Sequence, residues 1–182
     1  IAVASAKFPK GTTGKPLDEK ARAALVEVGL NYAHGTGHGV GSYLCVHEGP
    51  CGIHSRSEVA LAPGMILSNE PGYYKNGEYG IRIENLVLVI ETGEKDSDGQ
   101  PLYGFKDLTM APIDRNAIEP SLLTDAEKQW LDTYHAKVYK TLKPHLEKAE
   151  TAAAAWLKEV TRPIDEPVKK RAPRNAGKPP KP

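Results

Sequence analysis

The 182-residue sequence has little sulfur and no long hydrophobic stretch: it contains two Cys and two Met. Two cysteines cannot form the set of disulfides that stabilises a small secreted protein. No apolar run approaches the roughly 18 residues that a membrane span needs, and no signal-peptide pattern is present. These absences predict a cytoplasmic protein with no membrane partner.

Neither sign of charge predominates, because the chain has 24 Lys and Arg and 23 Asp and Glu. The distribution is uneven, however: from Thr161 to the end there are seven basic residues, two acidic residues and six Pro. Residues 165–182 are therefore predicted to be a basic, Pro-rich, disordered tail. The rest of the chain is mildly acidic, and no nucleic-acid partner is expected.

The sequence does not begin with Met, and Ile1-Ala2-Val3-Ala4 has no entry signal for a strand or helix before it. We expect the chain to be a fragment or a processed product of a longer protein. A function that needs residues upstream of Ile1 would then be incomplete.

Metal-ligating side chains gather in the stretch between residues 34 and 84. His34, His38 and His47 can bind a metal or move protons near neutral pH. Glu70 and Glu84 lie in apolar, strand-like surroundings, where an unpaired carboxylate is costly. Imidazole nitrogens together with carboxylate oxygens suit Mn, Zn or Co. This pattern predicts that the stretch supplies the C-terminal half of a hydrolytic metal site.

The first two histidines lie in a glycine-rich segment, with Gly at positions 35, 37, 39 and 41. Each Gly costs a helix roughly 1 kcal/mol, which argues against a helical pair of ligands. In an extended chain, His34 and His38 still share a face because their separation is even. The alternative is a glycine-rich turn with incidental histidines.

Two other structural interpretations compete with this one. Cys45, His47, Cys51 and His54 have a zinc-finger composition, but their spacing matches no standard structural zinc site. Arg82 could simply pair with Glu84 as a neighbour on the same strand face, with no metal involved.

Hydrophobic periodicity and turn residues predict the secondary structure. A helix is expected at 17–30, with Asp18 facing outward, and strands are expected at 65–69, 81–91 and 102–112, with a hairpin or loop at 73–79. The strand at 81–91 has apolar residues on both faces and should be buried on both sides. Helices are expected at 125–142, opened by a Thr124–Glu127 capping box, and at 144–160, starting at Pro144.

Four motifs resemble one family: His34-Gly-Thr-Gly-His38-Gly-Val-Gly, Val46-His47-Glu48-Gly49-Pro50, Asn69-Glu70-Pro71-Gly72-Tyr73-Tyr74 and Gly80-Ile81-Arg82-Ile83-Glu84-Asn85. They are similar to the pita-bread metallopeptidases, and within these to the cytosolic Xaa-Pro aminopeptidases. The resemblance implies an α+β fold, with a curved, mostly antiparallel sheet flanked by helices. Residues 1–122 would be the C-terminal part of the catalytic domain, and residues 123–164 a C-terminal helical extension.

The same resemblance implies roles for individual residues. His38, Glu70 and Glu84 would be metal ligands, with Glu70 also the general base. His34 and His47 would line the substrate site, and Arg82 would orient the carboxylates. The family uses five ligands for two divalent ions, usually manganese, and the two remaining aspartates would lie upstream of Ile1.

The implied activity is removal of the N-terminal residue from peptides with proline in second position, by a homodimer. The alternatives are a ligand-binding pseudo-peptidase of the same fold and a prolidase.

Overall fold

A computed structural model describes residues 1–43, 45–149 and 151–166. The chain forms two compact units, Ile1–Ala111 and a second that begins at Pro112. The division predicted at residue 122 stays a prediction, and the predicted tail lies outside the described residues from position 167 onward.

The first unit is built on an antiparallel sheet. Its strands in chain order are β1 (Phe8–Pro9), β2 (Gly37–His38), β3 (Gly52–Ile53), β4 (Ile66–Asn69), β5 (Gly72–Lys75), β6 (Tyr79–Arg82), β7 (Asn85–Lys95) and β8 (Pro101–Asp107). Four of them pair in the order β1-β8-β7-β4, while β2 pairs with β3 and β5 pairs with β6. All of these pairings are antiparallel.

The β2–β3 pair is attached to the edge of β4. Gly39 forms an isolated bridge with Leu67, and the backbone N–H of Glu70 donates to the Thr36 carbonyl over 2.7 Å. Gly37 makes this approach possible, because a Cβ atom there would lie 2.0 Å from the Ser68 carbonyl oxygen. The sheet therefore curls, and its curl brings the glycine-rich segment against the end of β4.

Helix α1 (Lys15–Glu27) confirms the predicted helix, although its buried face differs from the prediction. Asp18, predicted to face outward, is 2% exposed. Asp18 can be buried because Arg22 and Thr36 donate hydrogen bonds to its carboxylate.

The core of the first unit lies between α1 and the sheet. Its buried members are Val3, Ala6, Phe8, Leu17, Ile53, Leu61, Leu67, Val87, Val89 and Tyr103. They include residues of β1, β3, β4, β7 and β8, so packing of this core fixes the positions of β4 and β7, which flank Glu70 and Glu84 along the chain.

The strand predicted at 81–91 is divided in the structure. Its first residues belong to β6, which pairs with β5, whereas β7 begins at Asn85 and pairs with β4 and β8. The predicted burial on both sides is wrong for Ile81 and Ile83, which are 43% and 41% exposed. The change of pairing partner leaves Glu84 in the short link between two strands.

The second unit contains α2 (Asp125–Ala149) and α3 (Thr151–Val160). The predicted capping box is confirmed: the Glu127 carboxylate accepts from the Thr124 N–H, and the Glu127 N–H donates to the Thr124 hydroxyl. The predicted helix start at Pro144 is wrong, because Pro144 lies inside α2. One proline removes a single backbone hydrogen bond, and a helix can continue past it.

These elements confirm the predicted α+β class with a curved antiparallel sheet. None of the helices in the described part of the chain is both long enough and apolar enough to cross a membrane.

Candidate metal centre

His38 lies at the end of β2, and its ring is fixed by the local backbone. The Nδ1 atom is 2.9 Å from the Gly39 carbonyl oxygen, so Nδ1 carries the proton and donates it. In the neutral ring this leaves a lone pair on Nε2, which lies 3.1 Å from Oε1 of Glu70. Metal-binding histidines are commonly oriented in this way, with the second ring nitrogen donating to a carbonyl.

Glu70 directly follows β4, and the side chain of this residue is 15% exposed. The Ser68 hydroxyl donates to its Oε1 atom over 3.0 Å. Ser68 and Glu70 are two residues apart, so they project to the same side of an extended chain. One carboxylate oxygen of Glu70 is therefore held beside the His38 ring.

Glu84 completes a group of three ligand side chains. His38, Glu70 and Glu84 each offer one ligand atom, and these three atoms all lie within 4.8 Å of one another. Among the residues that the structure describes, no other three His, Cys, Asp or Glu side chains have ligand atoms this close together. The zinc-finger alternative with Cys45, Cys51 and His54 thus has no support within the described chain.

The donor set fits a divalent cation. Zinc lies about 2.0–2.2 Å from imidazole nitrogens and carboxylate oxygens, so two ligands of one ion can be at most about 4.4 Å apart. The three ligand atoms, all within 4.8 Å of one another, are close enough to reach one ion after small side-chain movements. In addition, Nε2 of His38, which carries a lone pair in the neutral ring, faces a carboxylate oxygen at 3.1 Å. Two acceptor atoms so close together need a cation or a proton between them.

Arg82 lies beside both carboxylates. Its Nε atom is 3.7 Å from Oε2 of Glu84 and 3.9 Å from Oε2 of Glu70. The hydrogen bond to Tyr74 raises the pKa of Arg82 most, and the charges of the two carboxylates raise it further. The Arg82–Glu84 pairing expected without a metal is therefore present, and it coexists with the grouping of ligand atoms.

His34 is connected to Arg82 through Tyr74, a residue that the sequence analysis did not single out. Arg82 Nη1 donates to the Tyr74 hydroxyl over 3.4 Å, and that hydroxyl lies 2.8 Å from His34 Nε2. The Nδ1 atom of His34 is 2.7 Å from the Gly35 carbonyl and must donate to it. In the neutral ring, the Tyr74 hydroxyl then donates to Nε2, and the hydrogen bonds run in one direction from Arg82 to Gly35.

His47 is exposed, as are all residues of the stretch 45–50. Its ring packs on the ring of His38, with centroids 4.2 Å apart and an interplanar angle of 48°. The structure thus brings together all six site residues predicted from the sequence: His34, His38, His47, Glu70, Arg82 and Glu84.

A buried polar cluster that sequence reasoning missed holds the segment around His34. Arg22 donates to the Tyr32 carbonyl over 2.8 Å and to the His34 carbonyl over 2.6 Å. Its guanidinium lies over the Tyr32 ring, 3.9 Å from the centroid. Arg22 also pairs with Asp18 one helical turn away. The spacing of Asp18 and Arg22 on α1 was the available signal, but it is also typical of a solvated helix face.

Comparisons with known proteins agree with this geometry. The model of metallopeptidase family M24 matches residues 1–91, and the model of the C-terminal region of peptidase_M24 matches residues 101–164. A protein of Tuber melanosporum named "Probable Xaa-Pro aminopeptidase P" is 53% identical over 168 residues, which is 90% of this chain and 27% of the relative. A protein of the same name from Aspergillus fumigatus is 51% identical over 169 residues, or 90% of this chain and 26% of the relative.

A solved structure is also similar. It is the X-prolyl aminopeptidase of Caenorhabditis elegans, described as a cytosolic enzyme with a di-nuclear active site. Its TM-score is 0.82 at 44% identity, over 89% of this chain and 26% of the other. The predicted pita-bread fold is thereby confirmed. The chain spans about a quarter of the length of the relatives that it matches. Because the family model matches half of the chain, the chain belongs to metallopeptidase family M24.

Proposed function

We propose that the protein containing this chain is a metal-dependent Xaa-Pro aminopeptidase, which hydrolyses the N-terminal residue from peptides with proline in second position. The observation that carries the proposal is the grouping of His38, Glu70 and Glu84 ligand atoms within 4.8 Å. The names of the relatives from T. melanosporum and A. fumigatus support the substrate class.

His38, Glu70 and Glu84 are the proposed metal ligands of this segment. The Nε2 atom of His38 and the carboxylates of Glu70, partly buried, and Glu84, exposed, suit a divalent ion with nitrogen and oxygen ligands. When bound, two such ions, manganese foremost and zinc or cobalt as alternatives, would acidify a water and polarise the scissile carbonyl. The di-nuclear site of the C. elegans enzyme supports the number of ions.

The side chains of this segment have distinct proposed tasks. Glu70 accepts the proton of the attacking water as general base. His47, whose ring packs on His38, donates a hydrogen bond to the oxygen that becomes negative. His34 orients the peptide, and Arg82 keeps the carboxylates of Glu70 and Glu84 in place through its charge.

Two further properties belong to the proposal. We infer a cytoplasmic location, which the description of the C. elegans enzyme as cytosolic supports. We also expect a homodimer, which follows from the family resemblance alone and which sedimentation of the full-length protein would test.

The experiment uses the full-length protein that contains this chain, freed of metal with a chelator and then reloaded with Mn²⁺. A tripeptide with proline in second position should be cleaved, whereas the matched tripeptide with alanine there should not. Glu70→Gln should lower turnover by about 10²-fold or more, because the general base is lost. The control is Glu78→Gln, which removes an exposed carboxylate paired with Lys75 outside the site.

Three results would contradict the proposal. Near-normal turnover of the Glu70→Gln variant would show that Glu70 is not the general base. Cleavage confined to Xaa-Pro dipeptides would indicate a prolidase. Peptide binding without hydrolysis in the Mn²⁺-loaded protein would indicate a pseudo-peptidase.

A further inference from the structure

Ser68 occupies a buried position between two of the proposed ligands. Its side chain lies on β4 and is 0% exposed. The hydroxyl oxygen accepts a hydrogen bond from the backbone N–H of His38 over 3.0 Å. The same hydroxyl donates its proton to Oε1 of Glu70, also over 3.0 Å. One hydroxyl therefore joins the strand that carries His38 to the carboxylate of Glu70.

A serine hydroxyl has a single proton, and here that proton is committed to Glu70. The donation fixes the rotation of the carboxylate: Oε1 faces Nε2 of His38 at 3.1 Å, and Oε2 faces Arg82 at 3.9 Å. Without the hydroxyl, the His38 N–H would lose its acceptor and the Glu70 carboxylate would lose the donor that orients it.

The local fold leaves little room for another arrangement. Ser68 is paired with Leu86 of β7 on one side. On the other side lies Gly37, where a Cβ atom would be 2.0 Å from the Ser68 carbonyl oxygen. The backbone of Ser68 is thus fixed between β7 and Gly37, which limits the positions that its hydroxyl can take.

We propose that Ser68 is a positioning residue of the metal centre, which sets the affinity for the divalent ion by orienting Glu70 against His38. The proposal rests on the proposed function, in which these two residues bind metal. Hydrogen-bond partners of ligating side chains typically change metal affinity by about 10–100-fold when removed.

The test measures metal binding rather than turnover. The full-length protein is stripped of metal and titrated with Co²⁺, whose visible spectrum reports the ligand geometry, and with Mn²⁺ by calorimetry. Ser68→Ala should raise the Kd about 10–100-fold and change the Co²⁺ spectrum. Ser68→Thr keeps the hydroxyl and should stay within about threefold of wild type.

The matched control is Ser57→Ala. Ser57 is also buried, at 7% exposure, and its hydroxyl accepts a hydrogen bond from the Gly14 N–H over 3.3 Å, outside the site. This variant loses a buried serine hydroxyl as well, and its metal Kd should equal that of wild type. Thermal unfolding of all variants separates loss of structure from loss of affinity.

A folded Ser68→Ala protein with unchanged Kd and Co²⁺ spectrum would overturn the proposal. So would a folded Ser68→Thr protein whose Kd rises as far as that of Ser68→Ala. A crystal structure of the metal-loaded wild type gives a test without any variant, since a Ser68 hydroxyl beyond hydrogen-bonding distance of Glu70 would also overturn it. If the wild type binds no metal, the proposed function fails instead.

Discussion

The Oδ1 atom of Asp18 lies 2.6 Å from Oγ1 of Thr36, and this contact joins α1 to the glycine-rich segment. The Arg22 guanidinium binds the other carboxylate oxygen over 3.0 Å. Burial raises the pKa of Asp18, but the hydrogen bonds from Arg22 and Thr36 and the charge of Arg22 lower it more, so the pKa lies below its usual value. The segment that carries His34 and His38 is thereby tied to an ionised, buried carboxylate.

Replacing Asp18 with Asn should reduce the free energy of unfolding by about 2–3 kcal/mol at pH 7, because a charged hydrogen-bond acceptor for Arg22 is lost. The wild-type contribution should be complete above the unfolded pKa of about 4 and should diminish as the pH falls below it, since the folded pKa is the lower one. Urea unfolding at pH 7 and pH 3.5 measures both effects.

Glu19→Gln is the control for Asp18→Asn, because Glu19 is the next residue on the same helix and is exposed. Its unfolding free energy should remain close to that of wild type. Equal stabilities of the two variants at pH 7 would show that the Asp18 contacts contribute nothing.

Removing the Tyr74 hydroxyl should affect the substrate site and spare the metal site. Tyr74→Phe interrupts the hydrogen bonds from Arg82 to His34 and leaves Nε2 of His34 without its donor. We expect kcat/KM of the full-length protein for a Xaa-Pro peptide to fall about tenfold, which corresponds to one hydrogen bond of about 1.4 kcal/mol. The metal Kd should not change.

The control is Tyr79→Phe, since Tyr79 lies in the same hairpin and is 51% exposed. It should retain wild-type kinetics. A tenfold loss in both variants would point to the hairpin as a whole, and an unchanged kcat/KM in Tyr74→Phe would contradict the role of this hydroxyl.

Gly37 should tolerate no side chain. A Cβ atom there would meet the Ser68 carbonyl at 2.0 Å, and this neighbour is backbone that cannot rotate away. Gly37→Ala should therefore separate β2 from β4, lower the unfolding free energy by about 2–3 kcal/mol and weaken metal binding. Thermal unfolding and Mn²⁺ titration measure the two effects. Gly49→Ala is the control, because a Cβ atom there would meet nothing within 4 Å.

Sequence patterns predicted the parts of the molecule that depend on local chemistry. The capping box at Thr124 and the hairpin or loop expected at 73–79 follow from residues a few positions apart; the capping box is present, and the second feature is a hairpin of β5 and β6. The residue types at 38, 70 and 84 predicted a common site, and their ligand atoms do lie together. The signal was the combination of imidazole and carboxylate side chains in one stretch, and the family resemblance selected His38 among the histidines. The expected burial was not needed, because Glu84 is exposed.

Contacts between distant parts of the chain were not predictable from these patterns. Ser68 accepts from a backbone N–H thirty residues earlier, and Asp18 is buried because Thr36 meets it from another segment. The division of the predicted strand at Ile83 depends on which neighbours β6 and β7 pair with, and sequence periodicity contains no information about pairing partners.

The second unit contains a buried histidine that should respond to pH. His135 on α2 is 0% exposed, and its Nε2 atom accepts the Ile113 N–H over 3.1 Å. Burial lowers the pKa of His135 most, and the positive charge of Arg115 lowers it further, while Asp132 acts in the opposite direction. The folded state therefore holds this ring neutral at pH values where an exposed histidine takes up a proton.

Stability should consequently fall as the pH drops below about 6.5, because the unfolded chain binds a proton that folded His135 excludes, at up to about 1.4 kcal/mol per pH unit. His135→Gln cannot titrate and should flatten the decline in Tm between pH 7 and pH 5. His145→Gln, which changes an exposed histidine of the same helix, should keep the wild-type slope. Comparing slopes cancels any constant loss of stability in His135→Gln, so parallel declines in wild type and His135→Gln would exclude His135 as the titrating group.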